Sequence, residues 1–123
     1  MVRSKSEDKS LVDEILYGIE DVKGVEVHIM DLSKISNTVC KFFILCTGTS
    51  NTHVVAIANS VKKNVSKKLK EKPYSMEGIE NQEWVLIDYV DVVVHIFQRE
   101  IREFYDIENL WGDAKIINVE LKA

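Results

Sequence analysis

The chain has 123 residues, of which 46% are hydrophobic and 29% charged, with a formal net charge of −4. This length fits a single domain over residues 1–123, large enough to bury one core without cross-links. The acidic balance disfavours a protein that grips nucleic acid by itself, because that affinity comes mainly from lysine and arginine. No apolar run approaches the roughly 20 residues of a membrane span, and the first residues carry no export or transit signal. We therefore expect a cytoplasmic protein with no membrane contact.

The first periodic segment predicts a helix that ends at Gly24. Its apolar residues recur at helical spacing and form one stripe: Leu11, Val12, Ile15, Leu16, Ile19 and Val22. Ser10 is the predicted N-cap, with Asp13 three residues later. Residues 1–9 are accordingly expected to form a flexible N-terminal tail.

Two strands are predicted next. Residues 25–32 alternate between apolar and polar side chains, which is typical of a half-buried strand. Residues 42–46 are apolar throughout, which favours a central strand covered on both faces. On one strand Cys40 and Cys46 would be roughly 20 Å apart, far beyond disulfide reach. We expect both to be buried, reduced thiols.

A polar turn at residues 47–51 leads into a second predicted helix, with apolar residues Val54, Ile57, Ala58, Val61, Val65 and Leu69. The turn lacks the signatures of a phosphate loop or a dinucleotide fingerprint. No acid pair follows on a strand within reach of Ser50 to hold Mg²⁺, which phosphoryl transfer needs. Helix capping by Thr47, Thr49, Ser50 and Asn51 is the preferred interpretation. The alternative is a nucleotide-binding or nucleotidyltransferase-like protein that uses Gly48, Thr49 and Ser50.

The second helix ends in a cationic run formed by Lys67, Lys68 and Lys70. Lysines in this position complement the helix dipole. A solvated helix end is the simpler interpretation, and contact with ribosomal RNA or another polyanion is the alternative.

A β-hairpin is predicted over residues 83–98, with its turn at residues 88–91. Val90 fits this turn poorly, because tight hairpin turns often need a positive φ. A third helix over residues 99–111 and a last strand over residues 115–121 complete the chain. The order of elements predicts an α/β (α+β mixed) fold, in which four or five strands form a mixed sheet with packed helices.

No catalytic, cofactor or metal site is predicted. His28, His53 and His95 are scattered, and no CxxC pair is present. A thiol at Cys46 would be buried at the end of an apolar strand, where its pKa is raised.

The hairpin carries the exposed chemistry, because Trp84 and Tyr89 are interleaved with Asp88 and Asp91. Alternation places Trp84 and Asp88 on one face of the strand and Tyr89 on the other. Aromatic side chains ringed by carboxylates resemble a protein-binding hot spot. The alternative is that Trp84 fills a core gap and the acids are solvated, and the pattern favours neither.

Residues 46–54, 77–97 and 102–114, together with 31–36, resemble in order the motifs of the ribosomal silencing factor (Iojap-related) family. The resemblance covers nearly the whole chain after residue 10. It implies a nucleotidyltransferase-like fold without the catalytic acids, and therefore a protein that is not an enzyme.

The resemblance also implies function. Family members bind the large ribosomal subunit through large-subunit ribosomal protein fourteen, and they sterically block joining of the small subunit under nutrient limitation. Carried over by position, the partner-binding residues are Trp84, Asp88, Tyr89, Asp91 and Tyr105. The family usually has glycine where this chain has Val90, and its members often form homodimers.

Overall fold

The computed structural model describes residues 4–35, 40–112 and 114–119. Its helices are α1 Lys5–Asp21, α2 Asn51–Leu69, α3 Arg99–Tyr105 and α4 Ile107–Leu110. Its strands are β1 Val25–Asp31, β2 Phe42–Gly48, β3 Ser75–Glu77, β4 Trp84–Asp88, β5 Val92–Gln98 and β6 Lys115–Val119. Within these ranges no helix is both long enough and apolar enough to cross a membrane.

The strands form one mixed sheet in the order β3-β4-β5-β2-β1-β6. Only β2 and β5 pair in parallel, and β4 and β5 form the predicted hairpin. The fold class is therefore confirmed, with six strands instead of four or five. The additional strand, β3, has three residues, which is too short to show a pattern of alternation.

Helices cover both faces of the sheet. On one face, α1 and α2 pack against the strands in a core that includes Val85, Ile87 and Tyr89 of the hairpin region. On the other face, a smaller core joins Leu45 and Phe97 to residues of α3 and α4. Trp84 packs against this second core. Trp84 and Tyr89 therefore lie on opposite faces of the sheet.

The first helix begins earlier than predicted. Ser4 caps α1, and the backbone N–H of Glu7 donates to Ser4 Oγ at 3.2 Å. The backbone N–H of Ser4 donates in turn to Glu7 Oε1, also at 3.2 Å, which completes a capping box. The predicted cap, Ser10, is thus inside the helix. Residues 5–9 of the predicted tail are helical, and residues 1–3 lie outside the described residues.

The predicted third helix is interrupted at Asp106. This residue has a left-handed backbone, with φ 47°, and its N–H donates to the carbonyl of Arg102 to end α3. The chain then starts α4 in a new direction, which buries Ile107 and brings Glu108 back to Arg102. The interruption therefore builds the contacts that hold both short helices against the sheet.

Both cysteines are free thiols and are buried, as predicted. Burial raises the pKa of Cys40 to about 11, with Asp88 and Asp91 adding to the effect. Burial likewise raises the pKa of Cys46 to about 12. Neither sulfur is a thiolate at neutral pH, so neither is a ready nucleophile.

Candidate docking surface

An aromatic row runs from the sheet to the surface through His95, Trp84, Tyr105 and Phe104. The rings of Trp84 and Tyr105 have centroids 4.8 Å apart, and those of Tyr105 and Phe104 are 5.0 Å apart. Trp84 is half-buried, whereas Tyr105 is 51% exposed and Phe104 79% exposed. The row therefore exposes the rings of Tyr105 and Phe104 to solvent, and the packed rings of Trp84 and His95 support them from below.

Phe104 was missed as a surface residue. The sequence places it in one stripe with Ile101, Tyr105 and Trp111, on broadly one side of the predicted third helix, and no role in binding was predicted for it. Because the helix is interrupted at Asp106, the stripe does not continue, and Phe104 remains on the outside. Tyr105, predicted at this surface, does lie against Trp84.

The two hairpin acids lie at the opposite end of β4. Asp88 is four residues from Trp84, or about 13 Å along the strand. Asp88 Oδ1 accepts the N–H of Val90 at 2.7 Å, and the Asp91 carbonyl accepts the N–H of Lys41 at 2.7 Å. Both acids are partly exposed. They flank the aromatic row at a distance and form no tight ring around Trp84.

Tyr89 does not belong to this surface, which corrects its predicted role in partner binding. Its side chain is 1% exposed and lies in the core beneath α1 and α2. Burial raises the pKa of Tyr89 to about 12. A partner on the Trp84 face of the sheet would not reach it, because β4 turns successive side chains to opposite faces.

Val90 occupies a strained position at the hairpin tip. Its φ is 74°, and the N–H of Asp91 donates to the Tyr89 carbonyl at 3.0 Å, closing a three-residue turn around it. A β-branched residue rarely adopts a positive φ, because its side chain collides with the backbone. The position at which the resemblance leads us to expect glycine thus keeps a glycine-like backbone.

Val90→Gly is expected to raise the free energy of unfolding by about 1 kcal/mol. Relief of one to three kcal/mol of strain, roughly, exceeds the entropy that glycine loses on folding, and the exposed Val90 side chain buries little. The midpoint of urea unfolding measures the change. Val90→Ala keeps the Cβ and should recover less. A lower midpoint for Val90→Gly than for the parent protein would contradict the strain.

The polar turn before α2 acts as a cap. Ser50 Oγ accepts the N–H of His53 at 3.1 Å, which confirms the predicted capping at this residue. The N–H of Thr49 donates to His53 Nδ1 at 2.8 Å, and His53 Nε2 donates to the Val22 carbonyl at 2.7 Å. These donors are thus engaged by the protein itself and are not directed at a ligand.

A cavity of about 280 Å³ lies beside this turn, between Thr47, Gly48 and the start of α3. Its one arginine, Arg99, forms an ion pair with Glu26. Among residues 4–35, 40–112 and 114–119, no group of three or more His, Cys, Asp or Glu side chains is placed to hold a metal ion. The alternative nucleotide site at residues 48–50 gains no further support from these contacts.

The lysines at the end of α2 lie in the helical layer. Lys67 and Lys68 are exposed in its last turn, and Lys70 ends the helix with a φ of 56°. Because α2 packs on the face opposite Trp84, these cations do not extend the aromatic row. Their contact with RNA remains a prediction.

A buried arginine anchors the helix that carries the aromatic row. Arg102 is 7% exposed, and its guanidinium donates to the Glu26 carbonyl at 2.6 Å, to Thr47 Oγ1 at 2.9 Å and to Glu108 Oε1 at 3.0 Å. His28 Nδ1 lies 2.6 Å from Glu108 Oε2. Burial opposes ionisation of Glu108, but Arg102 and His28 outweigh it and hold the pKa of that carboxyl below its usual value. The cluster ties α3 to α4, β1 and β2.

The sequence and the fold were compared with those of known proteins. Residues 5–123 match the family model described as "Ribosomal silencing factor during starvation". The ribosomal silencing factor of Halalkalibacterium halodurans is 36% identical over 113 residues, which span 92% of this chain and 95% of that protein. Its counterpart from Chromobacterium violaceum is 44% identical over 100 residues, which span 79% and 78%. A crystal structure of a Chromobacterium violaceum protein has a TM-score of 0.79 at 36% identity, covering 94% of this chain and 92% of that one.

Proposed function

Because the chain belongs to the ribosomal silencing factor family, we propose that it binds the large ribosomal subunit and blocks joining of the small subunit. The contact is made with large-subunit ribosomal protein fourteen, on the face that the small subunit would occupy. The action is steric, needs no cofactor and involves no catalysis. It takes place in the cytoplasm and represses translation under nutrient limitation.

The observation that carries this proposal is the aromatic row. Exposed aromatic side chains supported from below by packed rings are typical of binding hot spots. Contiguous exposed apolar surface is a mark of interaction sites, and the exposed rings of Tyr105 and Phe104 are in contact, with centroids 5.0 Å apart. The proposed contact residues are therefore Trp84, Tyr105 and Phe104, with Asp88 and Asp91 as an acidic flank.

Charge supports the same partner. The chain has a net charge of −4, and complementary fields speed association and disfavour wrong pairings. Asp88 shares its face of β4 with Trp84, because the two residues are four positions apart and side chains alternate along a strand; their partners on β5 are Val93 and Phe97. A basic protein surface that meets the rings would thus also meet carboxylates.

Co-sedimentation of the purified protein with large subunits tests the proposal. Trp84→Ala is expected to weaken binding by about 2 kcal/mol, or roughly 30-fold, because the indole supplies the centre of the contact. Phe104→Ala should also weaken binding. It should leave the fold undisturbed, because the Phe104 side chain is largely exposed. Tyr17→Ala is the matched control, since Tyr17 is an exposed aromatic on α1, in the opposite layer.

Two outcomes would count against this account. Full binding by both Trp84→Ala and Phe104→Ala would remove the aromatic row from the contact. Failure of the parent protein to sediment with large subunits would overturn the proposed function itself.

Two secondary contacts belong to the same proposal. Lys67, Lys68 and Lys70 contact ribosomal RNA, and two copies of the chain form a homodimer. Replacing the three lysines with glutamine tests the first through a shallower salt dependence of subunit binding. Measurement of the native mass tests the second.

A further inference from the structure

The indole N–H of Trp84 is directed into the protein. Trp84 Nε1 donates to His95 Nδ1 at 3.1 Å, and the two ring centroids are 5.8 Å apart. Tryptophan has a single hydrogen-bond donor and no acceptor. Once this donor is bound to His95, Trp84 has no polar atom left to offer a partner.

The neighbours of His95 hold its imidazole ring in place. It lies on β5 beside Leu86 of β4 and is 4% exposed. The ring of Phe43 packs edge-on against it, with centroids 4.8 Å apart. Because Nδ1 accepts a hydrogen bond, the neutral imidazole carries its proton on Nε2. The tautomer of His95 is thus set by Trp84.

The other nitrogen of His95 is left without a hydrogen-bond partner. Nε2 is buried and unpaired, although it bears the proton. A buried donor with no acceptor costs stability, and an apolar side chain of similar shape would avoid that cost. The hydrogen bond that His95 accepts from Trp84 therefore accounts for a polar ring at this position better than packing does.

We propose that His95 is a positioning residue that holds the Trp84 N–H inward, so that Trp84 offers a partner only the face of its ring. The group that fits such a surface is a lysine or arginine side chain laid across the rings of Trp84 and Tyr105, which binds through its apolar stem and its cation–π attraction. A hydrogen-bond acceptor would find no donor on Trp84. This inference rests on the proposed function, whose site it specifies.

His95→Phe separates positioning from packing. The variant removes the acceptor and also the unpaired donor, so its stability is expected to equal or exceed that of the parent protein. Binding to large subunits is expected to fall about 10-fold, because the released indole rotates away from its place in the contact. His95→Asn can again place an oxygen near Nδ1 and should restore part of the binding. Loss of stability and binding together in His95→Phe, with no rescue by His95→Asn, would overturn the positioning role.

Trp84→Phe tests what the partner recognises. Phenylalanine keeps a ring face but has no N–H, so binding is expected to stay within about 3-fold of the parent protein. A loss as large as that of Trp84→Ala would show that the partner uses the N–H, and it would overturn the inference.

The free protein provides a test that needs no ribosome. In the ¹H–¹⁵N spectrum, the indole N–H signal missing from Trp84→Phe belongs to Trp84 and distinguishes it from Trp111. We expect this proton to exchange slowly with solvent in the parent protein and quickly in His95→Phe. Rapid exchange in the parent protein would overturn the inward bond even where subunits bind. Slow exchange without subunit binding would support the positioning by His95 and overturn the proposed function with its partner.

Discussion

Replacing Arg102 with methionine is expected to lower the free energy of unfolding by about 3 to 5 kcal/mol, because it removes one partner of a buried ion pair. Glu108 would lose the charge that offsets its burial. Thr47 Oγ1 and the Glu26 carbonyl would lose their guanidinium donor in the same change. The loss should loosen α3 and, with it, the two most exposed rings of the aromatic row.

Arg99→Met is the matched control for this prediction. Arg99 lies three residues away on the same helix, and its ion pair with Glu26 is exposed, so its removal should cost no more than about 1 kcal/mol. Urea unfolding of both variants measures the difference. Equal, small losses would show that the Arg102 cluster does not hold the short helices in place.

Lowering the pH from 6.5 to 4 is expected to remove about 3 kcal/mol of stability through His95 alone. Burial lowers the pKa of His95 from 6.5 to about 4 in the folded protein. Between these values the unfolded chain binds a proton that the folded protein does not, so unfolding becomes more favourable as the pH falls. Above pH 6.5 the group is neutral in both states, and its contribution is constant.

Comparison of the parent protein with His95→Phe isolates this effect, because other titrating groups are common to both. The stability of the variant relative to the parent should rise steadily as the pH falls from 6.5 to 4. A difference that stays constant with pH would show that His95 is solvated and that its bond to Trp84 is not maintained. Below the usual pKa of a carboxyl, both proteins should lose stability further as Glu108 takes up a proton.

Features governed by local sequence could be predicted well. The apolar run of β2 occupies a central strand, since its composition requires cover on both faces. Ser50 caps α2 through a bond to a residue three positions away. The start of α1 carried such a signal too, because Ser4 and Glu7 have the spacing of a capping box. The start was nevertheless predicted at Ser10, because the apolar stripe begins at the next residue.

Features that depend on distant contacts could not be predicted in the same way. Arg102 resembles a solvent-facing residue in its own helix, and its partners come from β1, β2 and α4. The left-handed backbone at Asp106 divides what the apolar pattern predicted as one helix, and that pattern did not show that Phe104 would be exposed. Tyr89 is different: it stands near two partly exposed acids, Asp88 and Asp91, in sequence, which led to its predicted role in binding, although alternation places it with the core-facing side chains of the hairpin.

The most direct measurement of the central claim is the fraction of joined ribosomes formed when purified large and small subunits are mixed, followed by light scattering. Large subunits first saturated with the parent protein should join fewer small subunits, and Trp84→Ala at the same concentration should restore joining. Undiminished joining by large subunits that carry the bound parent protein would contradict the account.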